Sequence, residues 1–274
     1  MKFKIRCSAI GTLMGGQIGL SEKQFTRMNE LLKRKADSQT NKAKDLTDNM
    51  YKELSQLIET HENPKLPQGA KSYVEQWVKE RLYERESFKG NKYTDKGLIV
   101  EDESIDFIAK QLGYPMLLKN TKHYEGDFIT GTPDIVLPSR CIDAKNSWDF
   151  STFPIFETEI PEKAYWWQGQ GYMHLTETKV YVLSYTLMDT PQHLVESEYR
   201  SYCFRTGTDV DDKEQFEKFQ ADYRYSDLPD YKRFKAFSFE YEHQAIQQIE
   251  SRVKLAQNYV DELLALIGED NGRG

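Results

Sequence analysis

The chain has 274 residues, 38% hydrophobic and 13% aromatic, with a formal net charge of −7. That is enough apolar material for one large domain or two small ones, and the acidic balance argues against a protein that coats nucleic acid through bulk charge while leaving room for an enzyme with a local basic channel and metal ions at its centre. No run approaches the ~20 apolar residues needed to cross a bilayer, and MKFKIRCSAIG lacks a secretory apolar stretch, so a cytoplasmic protein with no membrane partner is expected. The three cysteines, Cys7, Cys141 and Cys203, are far apart, and the five histidines show no HxxxH spacing. Neither a disulfide framework nor a zinc site is expected.

Residues 3–20 are short, partly apolar and punctuated by glycine, and read as an irregular or strand-like start. From Ser21 to about Arg85 the pattern is helical. Leu46, Met50, Leu54 and Leu57 share one face, PKLPQG (64–69) breaks the run, and Tyr73, Trp77, Val78 and Leu82 resume it. The polar, basic stretch 33–44 reads as an exposed connector; a DNA-touching loop is the alternative. A further helix is expected over 95–112. Strand-like runs follow at 127–137, 140–146 and 179–186, with an aromatic-rich helix at 161–176 before the last of them. The acidic DVDDKEQFE (209–217) lacks the glycine and spacing of a calcium loop and reads as a solvated helix start. A long C-terminal helix carries the stripe Ile246, Ile249, Val253, Val260, Leu264 and Ile267, and ends at Gly268. The order helix, strand, strand, helix, strand points to an α/β sandwich. The expected division is an N-terminal helical segment, 1–92, and a core, 93–274, with a single domain over 1–274 as the alternative.

The chemistry concentrates in GTPDIVLPSRCIDAKNSWDF, 131–150. Side chains alternate faces along a strand, so Asp143 and Lys145 point one way and Ala144 the other. A tight turn at Pro138-Ser139 would bring Asp134 beside Asp143. Two close carboxylates repel unless a proton or cation lies between them, and hard oxygen ligands suit Mg²⁺ or Mn²⁺. The plain alternative is a surface hairpin with an Asp–Lys pair. Glu101 falls in phase with the apolar stripe Leu98, Ile105, Ile108 and Leu112, where a carboxylate needs a partner; the alternative is an ordinary helix-start glutamate. In YWWQGQGYMHL, Gln168 and Tyr172 are one turn apart, and the two glycines between them suggest close approach of another backbone or of a substrate. Tyr165, Trp166 and Trp167 read as core.

Together, Gly97-xxx-Glu101, Pro133-Asp134, Asp143-x-Lys145 and Gln168-xxx-Tyr172 resemble, in order, the PD-(D/E)xK nuclease superfamily. The last element is typical of its RecB-type, phage lambda-exonuclease-like branch. IRCSAIG and the C-terminal LLALIGE are softer likenesses to phage recombination exonucleases. The resemblance implies a restriction-endonuclease-like α/β core with a mixed central sheet flanked by helices. It implies Mg²⁺-dependent hydrolysis of DNA phosphodiesters, with Mn²⁺ able to substitute. Carried over, Glu101, Asp134, Asp143 and the backbone carbonyl of Ala144 would hold the metal. Lys145 would orient the attacking water, and Gln168 and Tyr172 would position Lys145 and the scissile strand. By the same analogy Arg6 and Ser8 would bind a terminal 5′-phosphate, or are an ordinary strand edge. DNA is the implied partner; a strand-annealing recombinase and a homo-oligomer are further implications, in a bacterial cytoplasm if the protein is phage-encoded. A departure is the long, polar helical stretch 21–90. Three functional readings follow: an exonuclease of linear double-stranded DNA, a structure- or site-specific endonuclease on the same fold, and a catalytically silent nucleic-acid-binding module.

Overall fold

The computed structural model describes residues 1–40, 42–87 and 89–268. They form ten α-helices: α1 (Ile10–Met14), α2 (Glu22–Gln39), α3 (Asp48–Glu62), α4 (Gln68–Leu82), α5 (Lys92–Ile99), α6 (Glu101–Leu112), α7 (Lys163–Thr176), α8 (Gln192–Thr206), α9 (Lys213–Ala221) and α10 (His243–Leu266). The strands are β1 (Ile5–Arg6), β2 (Tyr124–Glu125), β3 (Ile129–Gly131), β4 (Ile135–Val136), β5 (Arg140–Asn146), β6 (Val180–Thr186) and β7 (Phe234–Glu240). They make two mixed sheets, ordered β1-β3-β2 and β4-β5-β6-β7. The expected α/β class, with a mixed central sheet between helices and an N-terminal helical segment, is the fold observed. No helix among the described residues is long and apolar enough to cross a membrane.

The chain forms two compact units. One comprises Met1–Phe3, Thr12–Arg85 and the chain from Ile249; the other comprises Lys4–Gly11 and Glu86–Gln248. In the first, Ser21 and Gln24 form a reciprocal capping box at the start of α2, and Thr47 caps α3. Met28, Leu31, Leu46, Leu54 and Leu57 are buried between these helices. The expected connector at 33–44 is helical as far as Gln39. The stretch contains neither glycine nor proline, its lysines, arginine and alanine favour helix, and Leu31 anchors it, so charge alone did not break it. DVDDKEQFE does begin a helix, with Asp212 capping α9.

In the second unit the single helix expected over 95–112 is two. The break is at Val100, whose backbone (φ −94°, ψ 6°) leaves the helical path. Val100 packs with Phe107 and Met188, whereas Leu98 is 71% exposed. Burying the β-branched Val100 turns the chain, so the apolar stripe does not run through Leu98, and Glu101 opens α6. The expected strand 127–137 is also two pieces, β3 and β4, in different sheets. Pro133 lies between them and has no N–H to give a ladder. Strand β7 was not anticipated: in FKAFSFE the alternation breaks at the adjacent Ala236 and Phe237, a weak signal for an edge strand beside a polar segment. Of the α10 stripe, Ile246, Ile249, Val253, Val260 and Leu264 are buried, but Ile267 lies past the helix end and is exposed. Gly268 follows at φ +74°.

The central sheet buries both faces. On one, Ile135, Ile142 and Val182 pack with Ile105, Ile108 and Ala109 of α6, and Ala144 joins them. On the other, α7 lies close because it carries glycines. A Cβ at Gly169 would fall 2.5 Å from Cζ of Phe239 and 2.7 Å from Cδ1 of Tyr181; one at Gly171 would fall 2.5 Å from Cδ1 of Ile10. The close approach inferred for these glycines is therefore to the protein's own side chains. Tyr181 is fully buried and its ring has nowhere to retreat. Gly169→Ala should cost about 2 kcal/mol net, overpacking outweighing the better helix propensity of alanine. Urea unfolding that gives the variant wild-type stability would contradict this packing.

Candidate active site

The β4–β5 hairpin sets the geometry. Leu137 and Arg140 exchange backbone hydrogen bonds of 2.9 and 3.4 Å around Pro138-Ser139. Ile135 pairs with Ile142 and Val136 with Cys141, so the next position outward sets Asp134 against Asp143. The Asp134 carboxylate accepts the Ala144 N–H at 2.8 Å. Its backbone carbonyl accepts the Asn120 N–H at 2.7 Å, and the Asn120 side chain donates to the Pro133 carbonyl at 2.9 Å. The turn and the loop at Asn120 together fix Asp134 in place.

Asp143 is 1% exposed. Its Oδ1 accepts from Gln168 Nε2 at 3.3 Å, and Lys145 Nζ lies 2.5 Å from its Oδ2. That contact is an ion pair, which gives the buried Oδ2 a positive partner. Asp143 and Lys145 share the α7 face while Ala144 turns to the α6 core, as strand alternation requires. The Lys145 ammonium also lies 5.1 Å from the Tyr165 ring centroid. Tyr172 donates to the Thr132 carbonyl at 3.2 Å and so braces the link between β3 and β4. Gln168 thus touches Asp143, and Tyr172 touches backbone. Both bonds support the hairpin and its carboxylates.

Burial and the neighbouring Asp143 push the Asp134 carboxyl up to about 7, against the opposing pull of the Lys145 charge and the Ala144 N–H. Burial works against the Lys145 charge, but Asp143 and Asp134 outweigh it and hold the ammonium above its usual range. Burial pushes the Cys7 thiol well up, so it is no thiolate nucleophile. Beside Lys145 lies a cavity of about 440 Å³, lined among others by Tyr93, Asn146, Trp148, Phe153 and Tyr165.

Glu101, at the first turn of α6, is held by Lys119 Nζ at 2.6 Å. Lys119 was not foreseen: it lies in the irregular segment between α6 and β2, where no periodicity marks it. Gly97 carries no steric demand, since a Cβ there would meet nothing within 4 Å. Arg6 ends β1 and Ser8 lies in the following 3-10 turn; both are exposed, while Cys7 between them packs under Gly131 and Gly171.

No group of three or more histidine, cysteine, aspartate or glutamate side chains among the described residues is arranged ready for a metal ion. The donor chemistry nonetheless fits a hard divalent cation. Asp134 and Asp143 are carboxylates set side by side, and burial together with the Asp143 charge holds Asp134 towards its neutral form; one shared cation relieves that repulsion. Asp134 and Asp143 are the pair brought together, and Glu101 is engaged by Lys119.

No protein-family model matches this sequence, and no curated protein matches it. Solved structures do. A phage-related exonuclease from Haemophilus somnus 129PT is similar at 27% identity with a TM-score of 0.69, over 97% of each chain. The alkaline exonuclease LHK-Exo from Laribacter hongkongensis is similar at 11% identity and a TM-score of 0.56, over 97% of this chain and 91% of that one. Its complex with dAMP matches at the same TM-score and identity, over 96% and 91%. At that identity the Laribacter likeness is one of fold.

Proposed function

We propose that this protein is a Mg²⁺-dependent exonuclease of linear double-stranded DNA, of the phage-recombination type, with a PD-(D/E)xK active site. One observation carries the reading: a two-residue turn sets Asp134 opposite Asp143, and Lys145 reaches back along the same strand face to Asp143. The likeness to a phage-related exonuclease along almost the whole chain supports it. Mn²⁺ is expected to substitute for Mg²⁺.

Asp134, Asp143 and the Ala144 carbonyl would hold the metal, with Glu101 completing the set once freed from Lys119. When bound, such an ion lowers the pKa of a bound water and neutralises phosphate oxygens. The chain's own part is positional and electrostatic. Gln168 holds Asp143, while Tyr172 and Asn120 brace the backbone that leads into Asp134, at Thr132, Pro133 and Asp134 itself. Lys145 places a fixed positive charge where the phosphate gains negative charge, and orients the attacking water by hydrogen bonding. The cavity beside it offers aromatic walls to the strand being cut. Arg6 and Ser8 are proposed to take the terminal 5′-phosphate; a strand-annealing recombinase and a second copy of the chain are proposed partners, in the cytoplasm of a bacterial host.

Linear duplex labelled at each terminus, beside a covalently closed circle, tests the reading. Nucleotides should leave linear ends in Mg²⁺ and not in chelator, while circles persist. Discrete products from circles would replace the proposal with the endonuclease reading. An inert protein on linear, circular and single-stranded DNA would leave only a binding scaffold.

A further inference from the structure

Lys119 is held near the carboxylates from both sides. Leu117, two residues before it, is buried in the cluster between α6 and the central sheet. Asn120, immediately after it, is hydrogen-bonded through its N–H to the Asp134 carbonyl and through its side chain to the Pro133 carbonyl. The Lys119 ammonium lies 2.6 Å from Glu101, whose side chain is only 16% exposed, while that of Lys119 is 44% exposed. It is close enough to Asp134 to feel that charge as well. Glu101, Asp134 and Asp143 therefore face two ammonium groups, Lys119 and Lys145, set on different elements.

We infer that Lys119 is a built-in counterion that competes with the divalent cation for Glu101. The inference rests on the proposed metal site. A dication entering beside Asp134 and Asp143 meets a third carboxylate already neutralised, and a positive charge beside it. To recruit Glu101 the ion must displace the ammonium, and because Lys119 is nearly half exposed, water can receive it at small cost. Removing Lys119 then acts twice in one direction: it frees Glu101 and deletes a repelling charge. A residue that merely supported the fold would, on removal, weaken binding.

Calorimetric titration of Mn²⁺ into metal-free protein, without DNA, reads this directly. Lys119→Met should bind Mn²⁺ about threefold more tightly than wild type, or better. Glu101→Gln should bind more weakly, and adding Lys119→Met to Glu101→Gln should recover much less than the gain seen alone. Unchanged or weaker Mn²⁺ binding by Lys119→Met, with wild type binding and Asp143→Asn not, overturns the counterion role and leaves the metal site standing. Wild type that binds no Mn²⁺, or binds equally without Asp143, removes the metal reading and this inference with it. An equal gain in the Glu101→Gln background shows that Lys119 acts by general charge and not through Glu101, and also overturns it.

Discussion

Lys145→Met should reduce phosphodiester cleavage by about a thousandfold or more while the protein remains folded. Removing one well-placed group that stabilises transition-state charge typically costs 10² to 10³, and Lys145 is assigned a second task at the attacking water. The substitution keeps much of the side-chain volume, although the ammonium over the Tyr165 ring is lost. It also leaves Asp143 buried without its ammonium, still accepting from Gln168. Stripping one partner from a buried pair costs about 3–5 kcal/mol when both are buried. Here Lys145 is a quarter exposed and Asp134 can take up a proton, so about 2 kcal/mol is expected. Mn²⁺ should still bind, because the carboxylates remain. Single-turnover cleavage of end-labelled duplex, with circular dichroism as the folding control, decides the matter; wild-type rates would remove Lys145 from the mechanism.

Without metal, the contribution of Asp134 to stability should fall as pH rises from about 4 to about 7, and Mg²⁺ should restore it at the alkaline end. An unfolded aspartate releases its proton near 3.8, whereas Asp134 in the folded chain keeps one to about 7. Between these values the folded state binds the extra proton, so each unit of rising pH removes up to about 1.4 kcal/mol, or about 4 kcal/mol across the window. A divalent ion binds the ionised pair, so the rise in melting temperature with Mg²⁺ should be small at pH 5 and several degrees at pH 8. Thermal unfolding at both pH values, with Mg²⁺ and with chelator, checks this. A Mg²⁺ effect as large at pH 5 as at pH 8 would mean that Asp134 is not the group being relieved.

Period and turn chemistry made the hairpin readable. Pro138-Ser139 between two apolar runs predicts the tight turn, and the alternation along 140–146 puts Asp143 and Lys145 together and Ala144 behind them. The helical character of 21–85 was equally open to reading. Glu101 was less so, because the stripe that placed it assumed one unbroken helix; burial of Val100 among Phe107 and Met188, residues distant in sequence, decides the break. Strand β7 depends on an edge pairing with β6 that local pattern signals only weakly. Lys119 left no trace at all, since its position is set by Leu117 and Asn120 reaching separate partners. The glycines of α7 were recognisable as sites of close contact, but their neighbours Ile10, Tyr181 and Phe239 come from three distant stretches.

The Pro138-Ser139 turn also makes loop length a chemical variable. Asp134 and Asp143 are separated by the eight residues of a short hairpin, so closing it costs little chain entropy. Lengthening the tip by one residue and slipping β5 one place against β6 would exchange its faces, sending Asp143 and Lys145 into the apolar layer against α6 and Ile142 and Ala144 towards α7. The spacing between the two aspartates is therefore less tolerant of insertion than an exposed turn ordinarily is.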